Sequence, residues 1–393
     1  MGWTDYLRVE EVLQPEKYPE DWPPLKKLDL LKEQAEKLGM GGKFKRVAQT
    51  TRFRNGPNSC GVEMLPSSLA GQDCTGVNDG SKTTTLVTYL ADAWNWGAEL
   101  FCECEVRYVH KLPKEDKRGG YLVYFAWHGR NRGHFKANLH GDLMWVHAKE
   151  AVFLGAGAVG TTEILLRSKA LGLSMSDQVG QNMSGNGDIL AFGYNTDHQT
   201  NVVGRPHPSP YDPIGPTITG IIDNRTGHAN PLDGYVIQEG AVPHALARFL
   251  QVVVDLTPGA QGPKDQTLYE RTQAALARWG SRIYPYWKDG AMERTQVYLI
   301  MSHDSNQAVL SLEDDKPVLE FLGVGRSEHV KKLNKILLEA TEHVGGTLVN
   351  NPFFALLGQQ VTVHPIGYVP LGSSPSCRAA VTLTRRRSAA ARA

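Results

Sequence analysis

The sequence predicts an α/β fold, α+β overall, and three observations carry that expectation. An apolar run at residues 151–154 leads into Gly155-Ala156-Gly157-Ala158-Val159-Gly160 and then into a helix-like stretch at 161–171, so strand, glycine turn and helix start follow one another. Short, partly alternating runs at 99–109, 121–127 and 144–154 read as a β-meander. Beyond residue 190, glycine and proline breaks separate short alternating runs such as 234–238 and 296–301, the pattern of a mixed antiparallel sheet.

Taken in chain order, turn prolines at 15, 19, 23 and 24 precede residues 25–38, whose leucines recur at helical spacing and predict a surface helix. Residues 52–80 are rich in Gly, Pro, Asn and Ser and read as a long irregular loop of the kind that forms lids and binding loops. Residues 81–96 predict an amphipathic helix with Leu86, Tyr89, Leu90 and Ala93 on one face, stopped by Gly97. The charged segment 111–120 turns the first two meander strands into a hairpin. Residues 327–344 predict a second amphipathic helix with Val330, Leu333, Ile336, Leu337, Ala340 and Val344 as its buried stripe. The last twenty residues lose apolar periodicity and read as an irregular basic tail. The expected divisions are 1–80 (helix and loop, part of the substrate region), 81–189 (partial cofactor domain), 190–367 (substrate domain) and the tail 368–393.

A chain of 393 residues with 41% hydrophobic content can build substantial cores. With 42 basic and 41 acidic residues it has a formal charge of +1, which recommends neither a nucleic acid nor an anionic membrane as partner. Cys60, Cys74, Cys102, Cys104 and Cys377 are few, odd in number and without ligand spacing, so no disulfide framework and no metal site is expected, and Cys102 and Cys104 read as small buried residues. His128, His134, His140 and His147 fall among surface or strand residues and receive no role. The N-terminus lacks the basic start and apolar core of a signal peptide, and no apolar run is long enough to span a bilayer; a soluble intracellular protein, cytoplasmic or otherwise, is expected.

The glycine turn is the geometry that cradles a dinucleotide pyrophosphate: its glycines let the chain turn and approach the anion, the third lets helix and strand pack closely, and the helix start offers free N–H groups. A ligand-free strand-to-helix turn carries the same signature. A self-sufficient NAD unit would place an acid at the end of a second strand about 20 residues on. Asp177 stands near that distance, but the polar run 174–178 gives it no strand. The reading is an incomplete, Rossmann-like FAD/NAD-binding domain in which this turn makes a supporting contact.

Four segments, in order, bring a family into view. They are 74–82 (Cys-Thr-Gly-Val-Asn-Asp-Gly-Ser-Lys) running into Thr88-Tyr89-Leu90; Gly97-Ala98-Glu99-Leu100 with the strand through Val106; 152–168 followed by Asp177-Gln178-Val179-Gly180-Gln181-Asn182; and Val361-Thr362-Val363-His364-Pro365-Ile366-Gly367. Together they span residues 45 to about 367, and their order and spacing resemble the glucose-methanol-choline flavoprotein oxidoreductases, most closely the cholesterol-oxidase branch. The resemblance implies FAD as cofactor and oxidation of the CH–OH group of a sterol or other hydrophobic alcohol, with steroid isomerisation as an added step. Val106 then matches the strand residue whose backbone meets the adenine, and Gly155, Ala156, Gly157 and Gly160 form the turn against the cofactor. His364 matches the histidine at the flavin N5 edge, where an imidazole accepts the hydroxyl proton as hydride leaves. Glu239 resembles the carboxylate that carries a proton during isomerisation, a task suited to an apolar pocket that raises its pKa. A turn histidine beside proline and a solvent-facing loop glutamate are the plainer readings of these two.

The same resemblance implies missing parts. The family opens with a glycine turn that grips the FAD pyrophosphate and closes with Asp-Gly and Asn-Pro near the flavin, whereas this chain starts after the first and has Tyr368 in place of a glycine before the second. Weak FAD binding is therefore expected. The alternative is a truncated, non-catalytic remnant that keeps a hydrophobic ligand-binding domain; an NAD dehydrogenase stands third.

Overall fold

The computed structural model describes residues 3–129, 137–256, 267–320, 328–351, 361–367, 371–372 and 381–382. The expectations for His134, Tyr368, Cys377 and most of the basic tail lie outside the described residues; within the tail, Leu371–Gly372 and Val381–Thr382 pair in parallel. The protein is mixed α and β with chiefly antiparallel sheets. It divides into two compact units, one of residues 1–99, 187–303 and 323–361, the other of residues 100–186, 304–322 and 362–393.

The first unit is built on a six-stranded sheet in the order Thr347–Asn350, Ile189–Tyr194, Gln296–Met301, Tyr235–Glu239, Gly220–Asn224, Phe44–Arg46, antiparallel throughout. Alternation decides its layers. Ile189, Ala191, Ile222, Ile237, Tyr298 and Ile300 face one way and pack with Leu31 and Ala35 of helix Lys26–Lys37 and with Val330, Leu333 and Leu337 of helix Glu328–Glu342. Phe192, Tyr194 and Val297 face the other way and pack with Leu250 and Val254 of helix Ala247–Leu256 and Ala277 of helix Leu268–Ile283. Because both faces are covered, a one-residue slip of any central strand would exchange its two apolar sets between mismatched layers, which pins the pairings Ile222 with Ile237 and Ile237 with Ile300. The Tyr298 hydroxyl accepts from Gln34 Nε2 and, at 3.2 Å, from Thr341 Oγ1, tying both helices of the first layer to the sheet.

Two sequence expectations change here. The 25–38 helix is not a surface helix: Leu28, Leu31 and Ala35 are buried against the sheet. The helix expected over 81–96 is confined to Tyr89–Asn95, and its intended buried face is open, with Leu86 66% exposed. The cause is competition for backbone groups. Arg52 N–H donates to the Ser81 carbonyl at 2.8 Å and Thr83 N–H to the Thr50 carbonyl at 3.0 Å, while the Asp79 carboxylate takes the Ser81 N–H at 3.0 Å and its hydroxyl at 2.6 Å, so residues 81–83 are held extended.

The second unit carries the β-meander, with Cys104–Lys111, Tyr121–Trp127 and Met144–Ala148 in sequential antiparallel order. Helix Gly157–Ala170 lies on it, buries Ile164, Leu165 and Ser168, and is fastened where the Ser168 hydroxyl accepts the Val109 N–H at 2.9 Å. A hairpin, Val309–Glu313 with Lys316–Glu320, joins this unit through the Leu310 N–H, which donates to the Gly180 carbonyl at 2.8 Å. Gly180, at φ +83°, is obligatory: a Cβ there would lie 2.2 Å from the Leu310 carbonyl oxygen. The hairpin's hydrogen bond to Gly180 accords with residues 304–322 belonging to the unit of residues 100–186. The third meander strand ends at Ala148, and residues 151–154 are not strand, with Phe153 93% exposed. Among the described residues no parallel strand is paired with them, so the expected strand-turn-helix is a turn and helix only. No helix among the described residues is long and apolar enough to cross a membrane.

Candidate functional site

A cavity of about 370 Å³ in the second unit is lined by Val106, Gly155, Ala156, Gly160, Glu163 and Ile164, among others. Four of the five residues expected at the cofactor thus share one wall. Val106 flanks a β-bulge, because the register of the first hairpin shifts between Val106 and Tyr108, and a bulge re-aims the strand beside it. Gly157 opens the helix at φ +76°, a left-handed conformation that disfavours any side chain. Among the described residues, a Cβ on Gly155 or Gly157 would meet nothing within 4 Å, so the turn faces open space among them just where the first helical N–H groups lack intrahelical acceptors. Gly160 departs from its expected part. A Cβ there would meet only the Ala156 Cβ, at 3.3 Å, so close strand-to-helix packing is not what it serves.

The His364 segment reaches the same helix. Ile366 and Ser184 exchange backbone hydrogen bonds of 2.8 and 3.1 Å, and the His364 N–H donates to Thr362 Oγ1 at 3.0 Å. Gly367 then presses on the first helical turn, where an added Cβ would sit 2.7 Å from the Ala158 carbonyl oxygen. His364 itself is half-buried. The structure therefore brings the histidine segment and the glycine turn into one unit, whereas Glu239 belongs to the other.

Glu239 matches neither surrounding expected for it. It lies in strand Tyr235–Glu239 rather than a loop, and its side chain is 0% exposed, as is that of Lys27, with which it forms an ion pair. Its second oxygen accepts the Thr219 N–H and hydroxyl and, at 3.1 Å, the Gly220 N–H. The pocket is polar and its donors are spoken for, because helix Lys26–Lys37 delivers a lysine to the strand end. Beside it on the sheet a cavity of about 410 Å³ is lined by Ile218, Ile221, Val236, Gln238 and Met301, among others. Gln238 is buried there, and its Oε1 accepts no hydrogen bond among the described residues.

Sequence reasoning gave no role to a cluster at the start of the meander. Glu105 Oε2 lies 2.6 Å from His128 Nε2 and 3.1 Å from His140 Nε2, and His140 Nδ1 lies 4.0 Å from Asp315 Oδ2. Arg107 holds the other Glu105 oxygen and also pairs with Asp315, which Arg167 engages in turn. His128 is not the surface or strand residue expected: it is fully buried, just beyond the second strand. Burial alone would raise the Glu105 pKa, but the hydrogen bonds from His128, Arg107 and His140 hold it down at about 2. The signal was hidden because the bulge sets which side chains of the first strand face which partners, and no periodicity reports it. His147, by contrast, contacts the hairpin turn, its Nε2 lying 2.7 Å from the Gly119 carbonyl oxygen. Cys102, exposed, and Cys104, half-buried, are less covered than expected; they, the exposed Cys74 and the half-buried Cys60 are all free thiols. No protein-family model matches the chain.

Proposed function

We propose that the protein is an FAD-dependent oxidoreductase acting on the CH–OH group of a hydrophobic alcohol, a sterol being the substrate class. The observation that carries this reading is the meeting, in one unit, of an open glycine turn at a helix N-terminus with the segment that bears His364. The residues suit the cofactor. Space before Gly155 and Gly157 admits a diphosphate, the first N–H groups of helix Gly157–Ala170 face negative charge favourably, and a cavity of about 370 Å³ beside Val106 has room for the adenosine side.

When bound, FAD supplies the hydride acceptor. The chain's own contribution is to hold it and to manage the proton: an imidazole nitrogen of His364 takes the substrate hydroxyl proton as the carbon gives up hydride. The first unit has a cavity of its own, with apolar walls at Ile221, Val236 and Met301 and the buried Gln238 Oε1 as an acceptor. That cavity also supports a second reading, a ligand-binding remnant without catalysis. Isomerisation is left out of the proposal, since a glutamate already matched by a lysine and three donors is poorly disposed to shuttle protons.

Titrating FAD into the purified chain, following quenching of flavin fluorescence, separates the readings. Saturable binding that weakens at least about 10-fold in Gly157→Val is expected, since the substitution strains the turn and fills the space before it. With a 3β-hydroxysteroid, His364→Asn should lower kcat by about 100-fold or more with little change in KM. A chain that binds the steroid and not FAD would leave the remnant reading standing and sink the enzyme.

A further inference from the structure

We infer that Glu105, His128 and His140 form a binding site for one zinc ion. Their ligand atoms, one carboxylate oxygen and two imidazole nitrogens, all lie within 4.8 Å of one another. In a tetrahedral Zn²⁺ site with ligand bonds near 2.0–2.1 Å, donors stand about 3.3 Å apart. Glu105 Oε2 is 2.6 and 3.1 Å from the two nitrogens, so an ion replaces the two hydrogen bonds as those edges open by about 0.7 and about 0.2 Å. Two histidines and a glutamate are a donor set that zinc favours over magnesium or calcium, which take oxygen ligands.

The supports around the three donors are those of a metal site. Arg107 fixes Glu105 through the oxygen that faces away from the histidines, leaving Oε2 to the ion. Asp315, itself held by Arg107 and Arg167, stands 4.0 Å from His140 Nδ1, beyond hydrogen-bond distance but on the side from which a carboxylate orients a metal-bound imidazole. The His128 N–H donates to the Glu103 carbonyl at 2.8 Å, which anchors the buried ligand at the end of its strand. Charge is compatible: three carboxylates, Glu105, Glu163 and Asp315, outnumber the two guanidiniums of Arg107 and Arg167. His128 is buried, whereas His140 and Glu105 keep about a quarter to a third of their side-chain surface, so among the described residues the ion has a protein floor and a side that faces solvent. Glu105 and Arg167 also line the cavity beside Val106, but metal binding is read with neither flavin nor steroid present, so it is decided apart from the function proposed above.

The test is calorimetric titration of ZnCl2 into the metal-stripped full chain, repeated with CoCl2 to read the visible bands of tetrahedral cobalt. One ion per chain is expected, with cobalt bands present. Glu105→Gln and His140→Asn should each weaken binding by at least about 10-fold, the scale on which even supporting residues of metal sites act. His228→Asn, outside the cluster, should not change it. Because the chain holds 13 histidines, ions bound equally by all variants would be adventitious and would overturn the site, as would the absence of saturable binding. Should Glu105→Gln fail to fold, His140→Asn at a partly exposed position decides the matter, with circular dichroism of the metal-free forms as the check on folding.

Discussion

Removing the charge from Glu239 would leave Lys27 as a fully buried cation with no anion beside it among the described residues, the Thr217 carbonyl at 3.2 Å being a neutral acceptor. An uncompensated buried charge of this kind costs about 3–5 kcal/mol, so Glu239→Gln should lower the stability of the first unit by that order in chemical denaturation. Adding Lys27→Met should restore part of the loss, because the stranded charge is then gone. A single-variant loss below about 1 kcal/mol, the range of an exposed pair, would show that the pair is not buried in solution. His329 gives a pH dependence. Burial is the main cause that lowers its pKa from 6.5, helped by Lys332 and His303 and opposed by Asp233. The folded pKa lies below the unfolded one, so the unfolded chain takes up its proton first as pH falls; the stability is whole above about pH 6.5 and is lost as pH drops through the folded value. Between about pH 7.5 and 5.5 the protein should therefore lose more stability than its His329→Leu variant. Equal losses would remove His329 as a source. Neither group was legible in the sequence for what it does: Glu239 and Lys27 are 212 residues apart, and only the folded helix and strand show them as partners.

At the scale of elements, legibility tracked how far each element's stability is local. Helix Glu328–Glu342 was readable because Val330, Leu333, Leu337 and Ala340 form a stripe that the sheet does bury. Strands Tyr235–Glu239 and Gln296–Met301 were readable because alternation and flanking breaks agree. The 81–96 helix misled because its apolar spacing is real while residues 50–52 compete for its first backbone groups. The run 151–154 misled in the converse way: an apolar tetrapeptide becomes strand only beside a partner, and the meander places none there among the described residues. The glycine turn was read correctly as a turn because Gly157 needs its positive φ wherever the flanking strand goes.

On the scale of the whole molecule, the two units differ in how completely their sheets are covered. The central strands Tyr235–Glu239 and Gln296–Met301 lie between helices on both faces, and every residue of the former is buried. In the second unit, strand Met144–Ala148 pairs on one side only among the described residues, and Met144, Trp145 and Val146 are all exposed, Trp145 by 51%. An edge strand with apolar side chains in water is weakly protected and prone to pair with other chains. Local opening draws on this difference: amides exchange through the cheapest opening that frees them, and a strand with few covering contacts opens without disturbing a core. Native-state hydrogen exchange should therefore be slowest at residues 235–239 and 296–301, intermediate at 121–127, which is paired on both sides, and fastest at 144–148. Residues 144–148 exchanging as slowly as 235–239 would mean that another surface covers them in solution. If protection there rose with protein concentration, a second copy of the chain would be the cover; if it did not, a segment of the same chain would be.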